Sequence, residues 1–198
     1  MATLELPYSA LDTIPQVLEE IRQIYRQQAL PWVIGYSGGK DSTTALQLIW
    51  RALEGLPPAE RTNPVHVISS DTLVETPKIV DYINIALDNI NRVAAEQNMP
   101  FVARKLTPIL DDTFWVNLIG RGYPAPNDNF RWCTERLKIR ASNRFILEQV
   151  AEHGEVILIL GIRRGESATR DQVMAMHRVS GYKLARQMAS QEALAHAL

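Results

Sequence analysis

Cysteine is almost absent, with Cys133 the only one in 198 residues. A single thiol excludes an internal disulfide framework and fits a reducing compartment. An excess of one charge is also lacking, since 21 Lys and Arg face 22 Asp and Glu. The net charge of -1 therefore gives no global signal for DNA or RNA, although a basic stripe on one face is compatible with it. No apolar run approaches the roughly 20 residues that span a bilayer. The opening MATLELPYSALDTIP has neither a basic n-region nor a continuous apolar stretch, so it does not read as a secretory signal. The expected location is the cytoplasm. Internal repeats and low-complexity segments are missing too. What is present is the composition of an ordinary globular protein, long enough for one domain with a full core and short for two.

Apolar periodicity predicts alternating helices and strands. Ile14, Val17, Leu18, Ile21, Ile24 and Tyr25 recur at helical spacing, which predicts a helix over about 14–29 that is closed by Pro31. WVIGY at 32–36 reads as a buried strand, and residues 42–53 as a helix. VHVIS at 65–69 reads as a second strand, 77–97 as a long helix and 101–106 as a third strand. A short helix is expected at 113–119, a loop at 120–129 with two Gly and two Pro, and a helix over 134–150. VILILG at 156–161 is the clearest buried strand, and the chain from 167 onward reads as mainly helical. This alternation implies an α/β fold with a mostly parallel sheet and helices on both faces. Residues 1–198 are read as one domain. Four strands are few for such a sheet, and the sequence stops inside a helical pattern. The chain is therefore expected to be the front part of a longer protein.

The sharpest feature is Ser37-Gly38-Gly39-Lys40-Asp41-Ser42, between a strand and a helix. The C-terminal edge of a strand is where α/β sheets bind ligands. Paired glycines let the backbone approach a phosphate, and the N–H groups of the following helix supply donors and partial positive charge. Ser37 and Ser42 add hydroxyls and Lys40 a cation, while Asp41 suits turn support or Mg²⁺ better than direct phosphate contact. A plain strand–turn–helix junction is the alternative. A Walker A loop is excluded, because Gly35 lies one residue too close to Gly39 and Asp41 follows Lys40.

SGGKDS resembles the PP-loop of ATP pyrophosphatases, which cleave ATP to AMP and pyrophosphate and have an adenine nucleotide alpha hydrolase-like, Rossmann-like fold. Ser70-Asp71-Thr72, continued by Leu73-Val74-Glu75-Thr76, is similar to a strand-end signature of the phosphoadenosine phosphosulfate reductase branch. A helix N-cap cluster would account for these residues equally well. Gly161-Ile162-Arg163-Arg164-Gly165-Glu166-Ser167-Ala168-Thr169-Arg170 is similar to another segment of that branch. Its three arginines can fork onto phosphate, with Glu166 holding one of them, unless they simply form a solvated helix start. FWVNLIGRGYPAP and RWCTERLK resemble DndC, the sulfur-transfer component of bacterial DNA phosphorothioation. The resemblance spans about residues 31–180.

The resemblance implies ATP and Mg²⁺ as cofactors, a cysteine desulfurase and other phosphorothioation proteins as partners, and DNA as ultimate substrate. It assigns catalysis to Lys40, Asp41 and Asp71. ATP contacts fall to Ser37, Gly38, Gly39, Lys40, Asp41, Ser42, Asp71, Thr72, Gly161, Arg163 and Arg164. Contacts to substrate or another anion fall to Lys138, Glu166, Ser167 and Arg170. Cys133 matches one ligand of the family's iron–sulfur cluster, but one cysteine cannot supply the four thiolates such a cluster needs. By itself a lone cysteine is more often a small buried residue. His66 reads as a core or strand-edge residue, and His153, His177 and His196 show no metal-ligand spacing. Tyr123 and Trp132, near Arg121, Arg131 and Arg136, either pin the long loop or stack on bases. Two rival readings stand beside this one: a sulfonucleotide reductase, and a non-catalytic ATP-binding scaffold.

Overall fold

Trp32, Val33 and Ile34 are buried on both sides of their strand, so the segment shows a continuous apolar run instead of alternation. This strand, β1 (Trp32–Gly35), lies inside a four-stranded sheet with β2 (Val65–Ser70), β3 (Phe101–Leu106) and β4 (Ile157–Leu160). All pairings are parallel and the order is β3-β2-β1-β4. The computed structural model describes residues 10–127 and 130–163. The α/β class and the parallel sheet expected from the alternation are observed.

Among the described residues three helices cover one face: α1 (Ala10–Gln27), α2 (Lys40–Glu54) and α3 (Pro77–Glu96). Trp32, Ile34, Val65, Val67 and Phe101 meet Tyr25, Leu46, Ile49, Leu53 and Leu87 there. Val33 and Ile68 point the other way, onto Phe145 and Ile146 of the last described helix. That helix begins as α4 (Trp132–Thr134), widens into a π-helical stretch at Glu135–Ile139 and continues as α5 (Arg140–His153). His66 shares the second face, buried edge-on to the Phe145 ring at 5.4 Å, so it is a core residue. Among the described residues no helix is long and apolar enough to cross a membrane.

The element limits differ from the periodicity in informative places. The first helix starts at Ala10, which places Pro15 inside it and not at its first turn. The second starts at Lys40, two residues early, because Gly39 is its N-cap. The short helix expected at 113–119 is a 3-10 turn at Leu110–Asp112 followed by a π-helical stretch at Val116–Gly120. A five-residue hydrogen-bond step has no apolar period of its own to read.

The strand order positions the site. From β1 the chain moves to β2 and then β3 on one side, while β4 pairs with β1 on the other. The order therefore reverses between β1 and β4. Ligands of open α/β sheets bind beyond the strand ends at such a switch point.

Candidate functional site

The turn after β1 lies at this reversal. Gly38 has φ +72°, a conformation that favours glycine, and a Cβ placed there would lie 2.8 Å from side-chain atoms of both Tyr82 and Ile83 on α3. The Tyr82 hydroxyl donates to the Gly38 carbonyl at 3.3 Å. Gly39 caps α2 without a side chain, so no cap hydrogen bond occupies the first N–H groups of that helix. Ser42 is buried, and its hydroxyl donates to the Gly39 carbonyl at 3.0 Å and accepts from the Ser37 N–H at 3.2 Å. The Ser37 and Ser42 oxygens lie 3.1 Å apart. Ser42 thus closes the turn from inside, while Lys40 is exposed at the start of α2. Behind the turn, burial pushes the Tyr36 phenol above its usual range, with a hydrogen bond to Thr43 opposing the shift.

The end of β4 meets the same turn. A Cβ on Gly161 would lie 2.6 Å from the Asp41 carbonyl oxygen and 2.8 Å from the Ser42 nitrogen, so only a glycine lets β4 pass this close to α2. Two residues on, the Arg163 Nε donates to the Asp41 carboxylate at 3.0 Å. Asp41 therefore holds an arginine across the switch point. Arg164, Glu166, Ser167 and Arg170 lie outside the described residues, as do His177 and His196.

Beyond β2, Asp71 is buried and both carboxylate oxygens are engaged. One accepts from the Leu73 N–H at 2.9 Å, and the other pairs with the Lys105 ammonium at 3.1 Å. The first contact holds Leu73 at φ +63°. The Thr72 hydroxyl donates to Glu75 at 3.0 Å, and Lys138 reaches the same Glu75 oxygen at 3.8 Å. Asp71 and Thr72 thus shape the segment after β2, and Lys138 is tied to that segment from the π-helical stretch.

The 114–140 region forms one packed unit. Trp132 stacks on Phe114 at 5.4 Å, meets Tyr123 edge-on and donates its indole N–H to the Pro124 carbonyl at 3.0 Å. Arg136 lies over the Tyr123 ring and donates to its hydroxyl at 2.8 Å. Arg136 and Arg140 both donate to buried Asp112, at 2.8 and 3.1 Å. Asn117 is fully buried, and its amide donates to the Asp111 and Thr113 carbonyls. Tyr123 and Trp132 accordingly pin the long loop to the helix after it. Asp112 and Tyr82 carry no sequence signal that singles them out, because their partners lie in other elements, and Asn117 bonds locally without belonging to any motif.

Cys133 is half-buried on α4. Among the described residues no group of three or more His, Cys, Asp or Glu is placed to hold a metal ion. With a single cysteine in the sequence, these residues do not fit an iron–sulfur cluster by themselves. They also form no all-protein magnesium site, since Asp41 and Asp71 are each paired with a cation.

The family model of the phosphoadenosine phosphosulfate reductase domain matches residues 31–185. The chain belongs to this family. The match opens just before β1 and takes in the glycine turn and the segment after β4. A similar curated protein is the uncharacterized protein MJ0066 of Methanocaldococcus jannaschii, 27% identical over 158 residues, which are 80% of this chain and 28% of that protein. A similar solved structure is the U34-tRNA thiolase NcsA from Methanococcus maripaludis with its 4Fe-4S cluster. It shows 16% identity and a TM-score of 0.49, over 85% of this chain and 52% of that one. The reductase-family chain thus spans under a third of the curated relative and about half of the solved one.

Proposed function

We propose that this reductase-family chain is the ATP-cleaving domain of a sulfur-transfer enzyme, using the turn at 37–42 to hold the triphosphate during attack at the α-phosphorus. The observation that carries the reading is the uncapped start of α2 behind Gly38-Gly39, at the strand reversal, with Arg163 approaching from β4. Uncapped helix N–H groups favour anions. Ser37, Gly39, Lys40 and Ser42 surround the phosphates. Asp41 orients Arg163 and the turn, and Gly161 lets the two strand ends meet. Magnesium would come with the nucleotide and supply neutralising charge at the phosphates, as is usual for that ion. The chemistry asks only for charge neutralisation and placement, since pyrophosphate leaves as a nucleophilic oxygen attacks.

In the finer reading, the attacking oxygen belongs to a DNA phosphate. A partner such as a cysteine desulfurase delivers sulfur as a persulfide whose outer sulfur displaces AMP from the DNA phosphorus, and a thiol reductant then cleaves the S–S bond to leave the phosphorothioate. The likeness of FWVNLIGRGYPAP and RWCTERLK to DndC supports this choice. An iron–sulfur cluster would need thiolates beyond Cys133.

The test is product analysis of ATP labelled at the α-phosphate, incubated with magnesium and the protein, alongside Lys40→Ala and Asp41→Ala. AMP without ADP, lost in both variants, is the expected result; ADP would refute α–β cleavage. The family's name favours one rival, a sulfonucleotide reductase. Thiol-dependent sulfite release from phosphoadenosine phosphosulfate, with no AMP from ATP, would favour that reading instead.

A further inference from the structure

The peptide between Gly38 and Gly39 is the weak point of the turn. Flanked by two glycines, it can rotate with little steric hindrance. A trans peptide points its C=O and N–H in opposite directions. Rotation would therefore exchange the Gly39 N–H for the Gly38 carbonyl on the side where an anion binds, replacing a donor with a repelling oxygen.

In this structure the Gly38 carbonyl is held on the far side. The Tyr82 hydroxyl donates to it at 3.3 Å, and the Tyr82 ring and Ile83 crowd the Gly38 Cα. The Gly39 N–H points toward the Ser37 oxygen at 3.4 Å, a long contact that an incoming phosphate oxygen can replace. Tyr82 belongs to α3 and is 55% exposed, more than a core function would leave it. Tyr36 is the turn's other tyrosine neighbour, and its phenol interacts with Tyr82 as well.

We infer that Tyr82 is a positioning residue that locks the Gly38–Gly39 peptide with its N–H toward the phosphates. The inference rests on the phosphate-loop reading above and adds a residue to it. Because the lock acts on the phosphate side alone, its loss weakens ligands that carry a pyrophosphate group and spares those that do not.

The experiment measures equilibrium binding of magnesium-ATP, inorganic pyrophosphate and adenosine to the wild type, Tyr82→Phe, Tyr82→Ala and Lys40→Ala. Tyr82→Phe keeps the ring but loses the hydroxyl's hydrogen bond to Gly38 along with its interaction with Tyr36, so ATP and pyrophosphate binding should weaken about two- to tenfold, with adenosine unchanged. Tyr82→Ala should weaken both further and again spare adenosine. Unchanged ATP and pyrophosphate binding in both Tyr82 variants, while Lys40→Ala loses it, overturns the Tyr82 assignment alone. Equal weakening of all three ligands in the Tyr82 variants overturns it too, since that marks a general loosening of the fold. If Lys40→Ala and the wild type bind ATP and pyrophosphate alike, the phosphate loop itself is misassigned and Tyr82 falls with it.

Discussion

Arg163 and Asp41 stand 122 residues apart in the chain, yet the guanidinium Nε and the carboxylate meet at 3.0 Å. The contact ties the end of β4 to the first turn of α2 across the sheet's reversal. With the Arg163 side chain 56% and that of Asp41 26% exposed, the pair should add no more than about 1 kcal/mol to stability. On the proposed function, its value lies in aiming a cation at the phosphates. Arg163→Ala should leave the melting temperature nearly unchanged but lower ATP affinity by about tenfold or more, the scale of a lost hydrogen bond between charged groups. Thermal melts and nucleotide titration of the same preparation check both halves.

Gly161 and Gly38 fail for different reasons when replaced by alanine. At Gly161 the new methyl meets the backbone of Asp41 and Ser42, which cannot turn aside, so Gly161→Ala should separate β4 from α2. Overpacking of this kind costs about 1–3 kcal/mol. At Gly38 the new methyl meets flexible side-chain ends, but φ +72° itself costs about 1–2 kcal/mol. Both variants should therefore unfold at lower urea. Only Gly161→Ala should also disturb the Arg163 contact, which adding Arg163→Ala to each variant would reveal as non-additive ATP affinities.

The strands and the turn were legible because each is local. WVIGY, VHVIS and VILILG are short apolar runs, and SGGKDS is a contiguous motif whose glycines answer to backbone geometry. The roles of Asp71 and Thr72 were not legible. Residues of their type suit a ligand site and a structured turn equally, and the fold adds contacts that tie them to the turn, from Leu73 N–H and to Glu75, with Lys105 of β3 beside Asp71. The two π-helical stretches escaped for another reason. Their contacts are side-chain ones that no apolar spacing marks: Asn117 to the Thr113 carbonyl four residues back, and Arg136 to the distant Asp112 and Tyr123. Hydrophobic spacing records which face is buried, not which long side chains pair.

Asp112 should dominate the stability of that region. Its buried carboxylate holds Arg136, itself only 17% exposed, together with Arg140. Asp112→Ala strands a mostly buried guanidinium, a change that costs about 3 kcal/mol when the pair is well shielded. By contrast Glu135→Ala removes an exposed partner of Arg140, with both side chains 47% accessible, and should cost less than about 1 kcal/mol. Urea unfolding of the two variants measures the difference, and a comparable loss in both would mean that Asp112 is solvated in solution.

His66 gives the fold a pH dependence whose sign follows from burial. Desolvation beneath α5, aided by the nearby Arg104, pulls its pKa below the ordinary 6.5, and its buried Nδ1 has no hydrogen-bond partner among the described residues. The folded protein therefore binds a proton at this site less readily than the unfolded chain does. The neutral ring's contribution to stability is fully present above 6.5, declines as the pH falls below that value, and is exhausted below the lowered folded pKa. Denaturant unfolding at a series of pH values from 7.5 downward should show the decline, beginning near the unfolded pKa. His66→Phe removes the titrating group while keeping a ring against Phe145, so its stability should fall less steeply over the same window. Parallel curves for the two proteins would place the titration on other groups.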